Sequence, residues 1–328
     1  MGKREGRPVN ASLSITLSGA GSTTELRKLN ENGPLSFTWN QESYVPPVLG
    51  QKKAEDFLRN ETIWRDGLSR LGYPFLLPRG QIEIKTLNSV PAATGMATSA
   101  SGFAALTLAW LEMLLKEHSK EWTERFNADA LTRAIVADLT RHGSGSACRS
   151  IDGHIVEWHP ELGAKPQELT KINFVDFILL LDPTAKIVSS SEAHARVLSS
   201  PLFEKRPERA NARLVKVKSG LMAGDLNLLS ETVLEEALDM HELFHTANPP
   251  FQYMNESTKA WINRFKNQGH ALPAQNAIVT LDAGANLHVF VPESGEALWD
   301  DFFSSQKELQ FSSWKSGKGA RYLDAKEC

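Results

Sequence analysis

The segment GSGSACRS, residues 143–150, places two glycines, three serines, a cysteine and an arginine in eight positions, directly after a helix-like stretch. No side chain there is large and apolar enough to build a core. The segment offers the hydroxyls of Ser144, Ser146 and Ser150, free backbone N–H groups and the Arg149 guanidinium, which together suit an anion. A flexible helix stop with a surface arginine is the bland alternative, and the density of donors favours a ligand. Arg149 is the candidate clamp for a carboxylate or phosphate, because its planar fork meets two oxygens at once.

Working outward, Leu131, Ile135 and Leu139 recur at i, i+4 and i+8, which predicts a helix capped by Asn127. Further upstream, PAATGMATSASG (91–102) is a small-residue loop feeding a strong helix from about Gly102, with Leu106, Trp110, Leu111, Leu114 and Leu115 on its buried side. Free N–H groups at such a helix start cradle phosphate, and Ser99 and Ser101 could add hydroxyls. A tight strand-to-helix turn explains the same loop equally well. It is not a Walker A loop, because the Gly-Lys-Ser/Thr end is missing.

Strands are predicted at ASLSITL (11–17), whose Leu13, Ile15 and Leu17 face one way and Ser12, Ser14 and Thr16 the other, and at 35–40, 81–88, 153–160 and 172–182. AIVTLDAGANLHVFVP (277–292) predicts two more about a DAGAN turn. Helices are expected over 51–72, 203–223, 225–246, from Ser257 and near 294–309, with 161–170 a connecting loop. Mixed order with hairpin-like pairs favours α+β over a doubly wound sheet.

The 328 residues suit one large two-layer domain or two domains sharing an interface. Lysine and arginine number 36 against 39 aspartates and glutamates, with no like-charge block, which argues against a nucleic-acid partner. Two cysteines, Cys148 and Cys328, exclude a disulfide scaffold or a cysteine-based metal site. No apolar run is long enough to span a membrane, FVDFILLLD (174–182) being short and broken by Asp176, and MGKREGRPVN lacks a signal-peptide core. A cytoplasmic protein with no membrane partner is expected.

Three further features invite functional readings. Asp282, beside Ala283 and Gly284, is open to a ligand, although alone it would pass for a turn aspartate. His241 and His245 at i, i+4 could ligate zinc, but no third ligand is suggested, and one core and one surface histidine is the commoner arrangement. Cys148 could be a nucleophile; small-residue packing explains it better.

Together, PAATGMATSASGFAAL, GSGSACRSIDGHIVEW and TLDAGAN resemble, in order and spacing, the signature segments of the diphosphomevalonate decarboxylase family of the GHMP superfamily. GKR followed by VNASLSITLS, IVSSSEAH (187–194) and FHTANPPFQYMNEST (244–258) agree, so the resemblance runs from about Gly2 past His288. It implies a two-lobed α+β GHMP-kinase fold, with a ribosomal protein S5 domain 2-like N-terminal lobe over 1–170 and a ferredoxin-like C-terminal lobe over 171–328. It implies ATP and Mg2+, phosphorylation of the 3-hydroxyl of 5-diphosphomevalonate, then loss of phosphate and CO2 to leave isopentenyl diphosphate. A homodimer is also implied.

Carried over by the resemblance, Asp282 orients or deprotonates the 3-hydroxyl, and Arg149 holds the carboxylate and orients Asp282. Lys3 neutralises charge as phosphate transfers and departs. Ser144, Ser146 and Ser190 bind substrate, while Gly95, Ala97, Thr98, Ser99 and Ser101 cradle ATP phosphates. No protein metal site is implied. The sequence departs from the family at Thr94, Thr98 and Ala285, where alanine, serine and proline are usual, and in a shortened REGRP linker. The family also begins about a strand earlier, so the first strand is missing, Met1 is expected to be internal and roughly 15 more residues are expected before it. Rival readings are a phosphomevalonate decarboxylase or mevalonate-type kinase of the same fold, and a non-catalytic truncated relative.

Overall fold

The computed structural model describes residues 3–4, 7–40, 50–89, 98–182, 187–267, 272–273 and 277–323. Its N-terminal half builds two small sheets. In the first, β3 (Ser12–Ile15), β7 (Ile155–His159) and β8 (Gly163–Gln167) run antiparallel in the order β3-β7-β8. In the second, β6 (Gln81–Asn88) lies between β4 (Ser22–Lys28), antiparallel to it, and β5 (Ser36–Trp39), parallel to it. A short pair, β1 (Lys3–Arg4) and β2 (Arg7–Pro8), precedes them.

The β5–β6 pair is parallel, an exception beside the hairpin-like pairs expected from the element order. A parallel partner requires a crossover, and here helices α1 (Gln51–Leu58) and α2 (Glu61–Leu71) supply it. The single helix expected over 51–72 is therefore two. The break falls at Asn60, whose side chain accepts from the Ile63 N–H at 3.3 Å and starts α2 afresh.

Helices α3 (Thr98–Leu114), α4 (Ser119–Ala128) and α5 (Ala130–Gly143) complete this half. The α5 cap is Asp129, not Asn127; its carboxylate accepts from the N–H groups of Leu131 and Thr132. The apolar stripe also starts later than expected, because Leu131 is 65% exposed while Ile135 and Leu139 are buried. Trp64, Trp110, Trp122, Phe57, Phe103 and Phe126 fill the core between these helices and the sheets. Gly143 ends α5 against that core. A Cβ there would lie 2.1 Å from Phe103, so only glycine lets α5 approach α3 and deliver residues 144–150 to the α3 side.

The C-terminal half is one antiparallel sheet in the order β10-β11-β9-β12, formed by β9 (Phe174–Leu180), β10 (Ile278–Thr280), β11 (Leu287–Pro292) and β12 (Gln310–Lys315). Around it stand α6 (Ser190–Arg196), α7 (Arg206–Ala223), α8 (Leu226–His245), α9 (Glu256–Lys266) and α10 (Glu296–Ser304). One face, with Val175, Phe177, Leu179, Leu287, Val289 and Val291, joins Trp299 and Phe303 in a core. From the other face, Phe174, Ile278 and Phe290 pack with Leu221 and Leu229 and with Leu13 and Ile15 of β3.

Besides the short β1–β2 pair, three strands fall outside the expected elements. β4 alternates half-buried and exposed along STTELRK without an apolar run. β8 occupies part of the expected loop at 161–170, and β12 begins at Gln310, past the helix expected near 294–309, which itself stops at Ser304. All three lie at sheet edges, where pairing with a neighbour, not hydrophobic alternation, makes the strand. The halves are stitched together at Thr16–Ser18. Ser18 N–H donates to Lys315 C=O at 2.7 Å and Gly317 N–H to Thr16 C=O at 2.8 Å. Beyond β12 the chain returns to the first half, where Ala320 N–H reaches Ser150 C=O and Trp122 Nε1 donates to the Tyr322 hydroxyl.

Candidate active site

A cleft between the halves is lined on one side by Ser12, Ser99, Ser101, Ser144, Ser146 and Arg149, and on the other by Ser190, Asp282 and His288. Each wall follows from local structure. After α5 the GSGSACRS segment folds as a 3-10 helix over Gly145–Ser150, with Ala147 and Cys148 buried and the serines and arginine partly exposed. That alternation explains why small apolar residues interrupt the polar ones: Ala147 and Cys148 anchor the turn so that its donors face outward.

Arg149 donates from Nη1 to the Ser12 hydroxyl at 3.1 Å, and its guanidinium lies 5.9 Å from the Trp158 ring centroid. Its Nε is buried and has no hydrogen-bond partner. No carboxylate pairs with it among the described residues. A guanidinium held at a cleft without a carboxylate partner has the charge and free donors to take an anion. Ser12 was not a candidate from sequence, although the 11–17 alternation already set its hydroxyl opposite the apolar face.

On the facing wall the DAGAN turn is rigid. Leu281, Ala283, Ala285 and Asn286 are buried, whereas Asp282 is exposed. The Asn286 side chain accepts from Leu181 and Asp182 N–H, and the Thr258 hydroxyl donates to Ala285 C=O at 2.7 Å. His241 Nε2 donates to the Asp282 C=O at 3.1 Å. The turn is thus fixed from three directions and presents one carboxylate. No ion pair joins Arg149 to Asp282 among the described residues; Arg149 bonds to Ser12 and lies near the Trp158 face.

Burial pushes the His241 imidazole down to about 4, against the opposing pull of the Asp282 carbonyl. The ring is therefore neutral at physiological pH and can donate to that carbonyl. Between about pH 6.5 and 4 the unfolded chain binds the proton and the folded one does not, so stability falls as pH drops through that window. The urea midpoint of wild type is expected to fall more steeply across it than that of His241→Asn; parallel slopes would contradict this.

At the start of α3, Ser99 is exposed and Ser101 shares a hydrogen bond with Ser22 at 2.9 Å. Thr98 is the first residue of the helix. Gly95 and Ala97 lie outside the described residues, as do the side chains of Thr98 and Lys3; the Lys3 backbone pairs with Pro8. Ser190 opens α6 next to Ser189, whose hydroxyl caps that helix. The 144–150 turn, Asp282 and the described start of α3 all line this one cleft.

Cys148 is buried, donates to Gly145 C=O, and its thiol is pushed up to about 11 by burial. It is a packing residue, not a nucleophile. Cys148→Ser is expected to keep turnover within a few-fold of wild type, and a loss beyond tenfold would return the thiol to the chemistry. His241 is fully buried and His245 partly exposed, and no group of three metal-ligating side chains occurs among the described residues. No helix among them is long and apolar enough to cross a membrane.

Two α+β lobes that close on a cleft lined by a helix start, a donor-rich turn and Asp282 define the two-lobed GHMP-kinase architecture. Residues 2–167 match the diphosphomevalonate decarboxylase-like N-terminal domain and residues 177–317 the mevalonate 5-diphosphate decarboxylase C-terminal domain. The chain belongs to the diphosphomevalonate decarboxylase family. It is 25% identical to the diphosphomevalonate decarboxylase of Schizosaccharomyces pombe, over 97% of this chain and 81% of the relative. The crystal structure of a mevalonate diphosphate decarboxylase from Legionella pneumophila superposes with a TM-score of 0.74 at 27% identity, covering 95% of this chain and 93% of that one. The mevalonate diphosphate decarboxylase from Enterococcus faecalis, solved in a study of its mevalonate diphosphate-mediated ATP binding, shares the fold with a TM-score of 0.71 at 23% identity, over 97% and 92% of the two chains.

Proposed function

We propose that this chain is an ATP-dependent decarboxylase that converts 5-diphosphomevalonate to isopentenyl diphosphate, releasing CO2, ADP and phosphate. Family membership over both halves supports the reaction class. The observation that carries the site assignment is an unpaired Arg149 facing the same cleft as the exposed Asp282.

The chemistry suits that pair. In the first step the substrate 3-hydroxyl oxygen attacks the γ-phosphorus of ATP, Asp282 takes the hydroxyl proton, and ADP leaves. In the second, the C3–oxygen bond breaks and phosphate departs with its electron pair. The C1–C2 bonding pair then becomes the new double bond as CO2 is lost. Positive charge develops at C3, and no protein nucleophile is required. Phosphoryl transfer is mostly positioning and charge stabilisation.

In this reading Arg149 grips the carboxylate that becomes CO2. Ser144, Ser146 and Ser190 position the substrate, and Lys3 neutralises the transferring phosphate. Gly95, Ala97, Thr98, Ser99 and Ser101, at the start of α3, cradle the ATP phosphates, whose magnesium arrives with the nucleotide as part of the substrate. The division into lobes falls at about residue 170, and the protein works in the cytoplasm as a homodimer.

ATP-dependent CO2 release should be compared across mevalonate, its 5-phosphate and its 5-diphosphate. The diphosphate is expected to be the best substrate by kcat/KM. Preference for the monophosphate would make this a phosphomevalonate decarboxylase. ADP release without CO2 would make it a kinase, and no turnover a non-catalytic relative.

A further inference from the structure

Asp176 interrupts an otherwise apolar strand, and nothing in the reaction above uses it. It is 1% exposed, on the face of β9 that also carries Phe174. A carboxylate that far from water is tolerated only with a cation beside it. That cation is His288 of β11, whose Nδ1 lies 2.7 Å from Asp176 Oδ2. The second carboxylate oxygen, Oδ1, is buried and unpartnered, as is Nε1 of Trp314, directly opposite Asp176 in the β9–β12 register. The Asp176 charge is therefore answered by His288 among the described residues.

The imidazole is held in place. Phe290 stacks on it with an interplanar angle of 14°, and its side chain is 13% exposed. With Nδ1 committed to Asp176, the remaining nitrogen is left for the cleft that His288 lines. His288 stands opposite Thr280 in the β10–β11 pair, immediately before the turn that carries Asp282. Burial disfavours its charged form, but Asp176 overrides this and the Asp282 carboxylate adds to the effect, raising it to about 9. Asp176 from β9 is in contact with the ring, while Asp282, two residues past the Thr280 that His288 opposes, acts on it through space without an ion pair. The α8 histidine, His241, is neutral and faces the backbone of that turn.

We propose that His288 is a positioning residue for the reaction centre: clamped by Asp176 and set opposite Thr280, two residues before Asp282, its ring places a positive charge near the DAGAN turn that acts through space on the Asp282 carboxylate at the cleft. This supplies the cation that the sequence assigned to Arg149. The proposal rests on the decarboxylase reading for its catalytic consequence, but the charge arrangement itself can be tested without turnover.

The experiment uses the full chain as wild type, Asp176→Asn and Asp282→Asn. Asparagine at 176 keeps the shape and an acceptor for Nδ1, which preserves the fold, as circular dichroism would check. The first readout is the His288 imidazole titration by NMR. Wild type is expected to titrate near pH 9. Asp176→Asn should lower that by at least about one unit, and Asp282→Asn should lower it by less. A wild-type ring titrating at or below the ordinary histidine value, or one unmoved by Asp282→Asn, overturns the proposal.

The second readout is the pH profile of kcat. Wild-type turnover should fall as the ring loses its proton near pH 9, and Asp176→Asn should move that alkaline limb down with the ring while KM for ATP stays put. A uniform loss at all pH values, with the limb unmoved, would make the pair merely structural and sink the proposal. If wild type turns over none of the three substrates while the NMR shifts appear, the functional reading fails and the charge pairing stands.

Discussion

Asp282→Asn is expected to reduce turnover by about a thousandfold, or roughly 4 kcal/mol of transition-state stabilisation, with ATP and substrate still bound. The structure makes this a clean test. The Asp282 side chain is exposed, and the turn beneath it is held through other groups: His241 on the 282 carbonyl, Thr258 on the 285 carbonyl and the buried Asn286. Asparagine keeps the size and removes the charge and the proton acceptor. The loss should therefore appear in kcat, with KM little changed. Unaltered binding with turnover within a few-fold of wild type would remove Asp282 from the chemistry.

Arg149→Lys should cost at least about a hundredfold in kcat/KM, or roughly 2.7 kcal/mol, although charge is conserved. Arg149 spends Nη1 on Ser12, rests its plane near Trp158 and keeps a buried Nε without a protein partner. A lysine ammonium cannot hold Ser12 and also give two parallel hydrogen bonds to a carboxylate. A loss under tenfold would show that Arg149 is not the clamp. Asp282 and Arg149 are not ion-paired, so any coupling between them runs through bound substrate. If both act on bound substrate, the double variant should still lose less than the product of the two single losses, since each removes part of one transition state.

The corrections to the sequence-based reading have two origins. The break at Asn60, the Asp129 cap and the β7–β8 hairpin are local hydrogen bonds that apolar periodicity does not register, whereas the edge strands β4 and β12 depend on hydrogen bonds that form only when distant segments meet. Thr23, for example, pairs with Leu87, and Phe311 with Leu179. Periodicity within a short window carries no record of such partners. Leu131 misled for the opposite reason: it keeps the helical spacing of Ile135 and Leu139 but sits in the first turn of α5, 65% exposed.

What the sequence determined by itself was the chemistry available and most of the element order. The density of donors in GSGSACRS, the small residues around Asp282 and the mixed strands and helices are local facts, legible because side-chain type and spacing are local. Tertiary structure alone decided which charges meet. It turned Arg149 to Ser12 and away from Asp282, and set His241 beneath the DAGAN turn. It also joined Asp176 to His288 across 112 residues. Coulomb interactions fall off over a few ångströms of space whatever the distance along the chain, so only the folded register of β9, β10 and β11 could bring a buried carboxylate, an imidazole and the Asp282 carboxylate together.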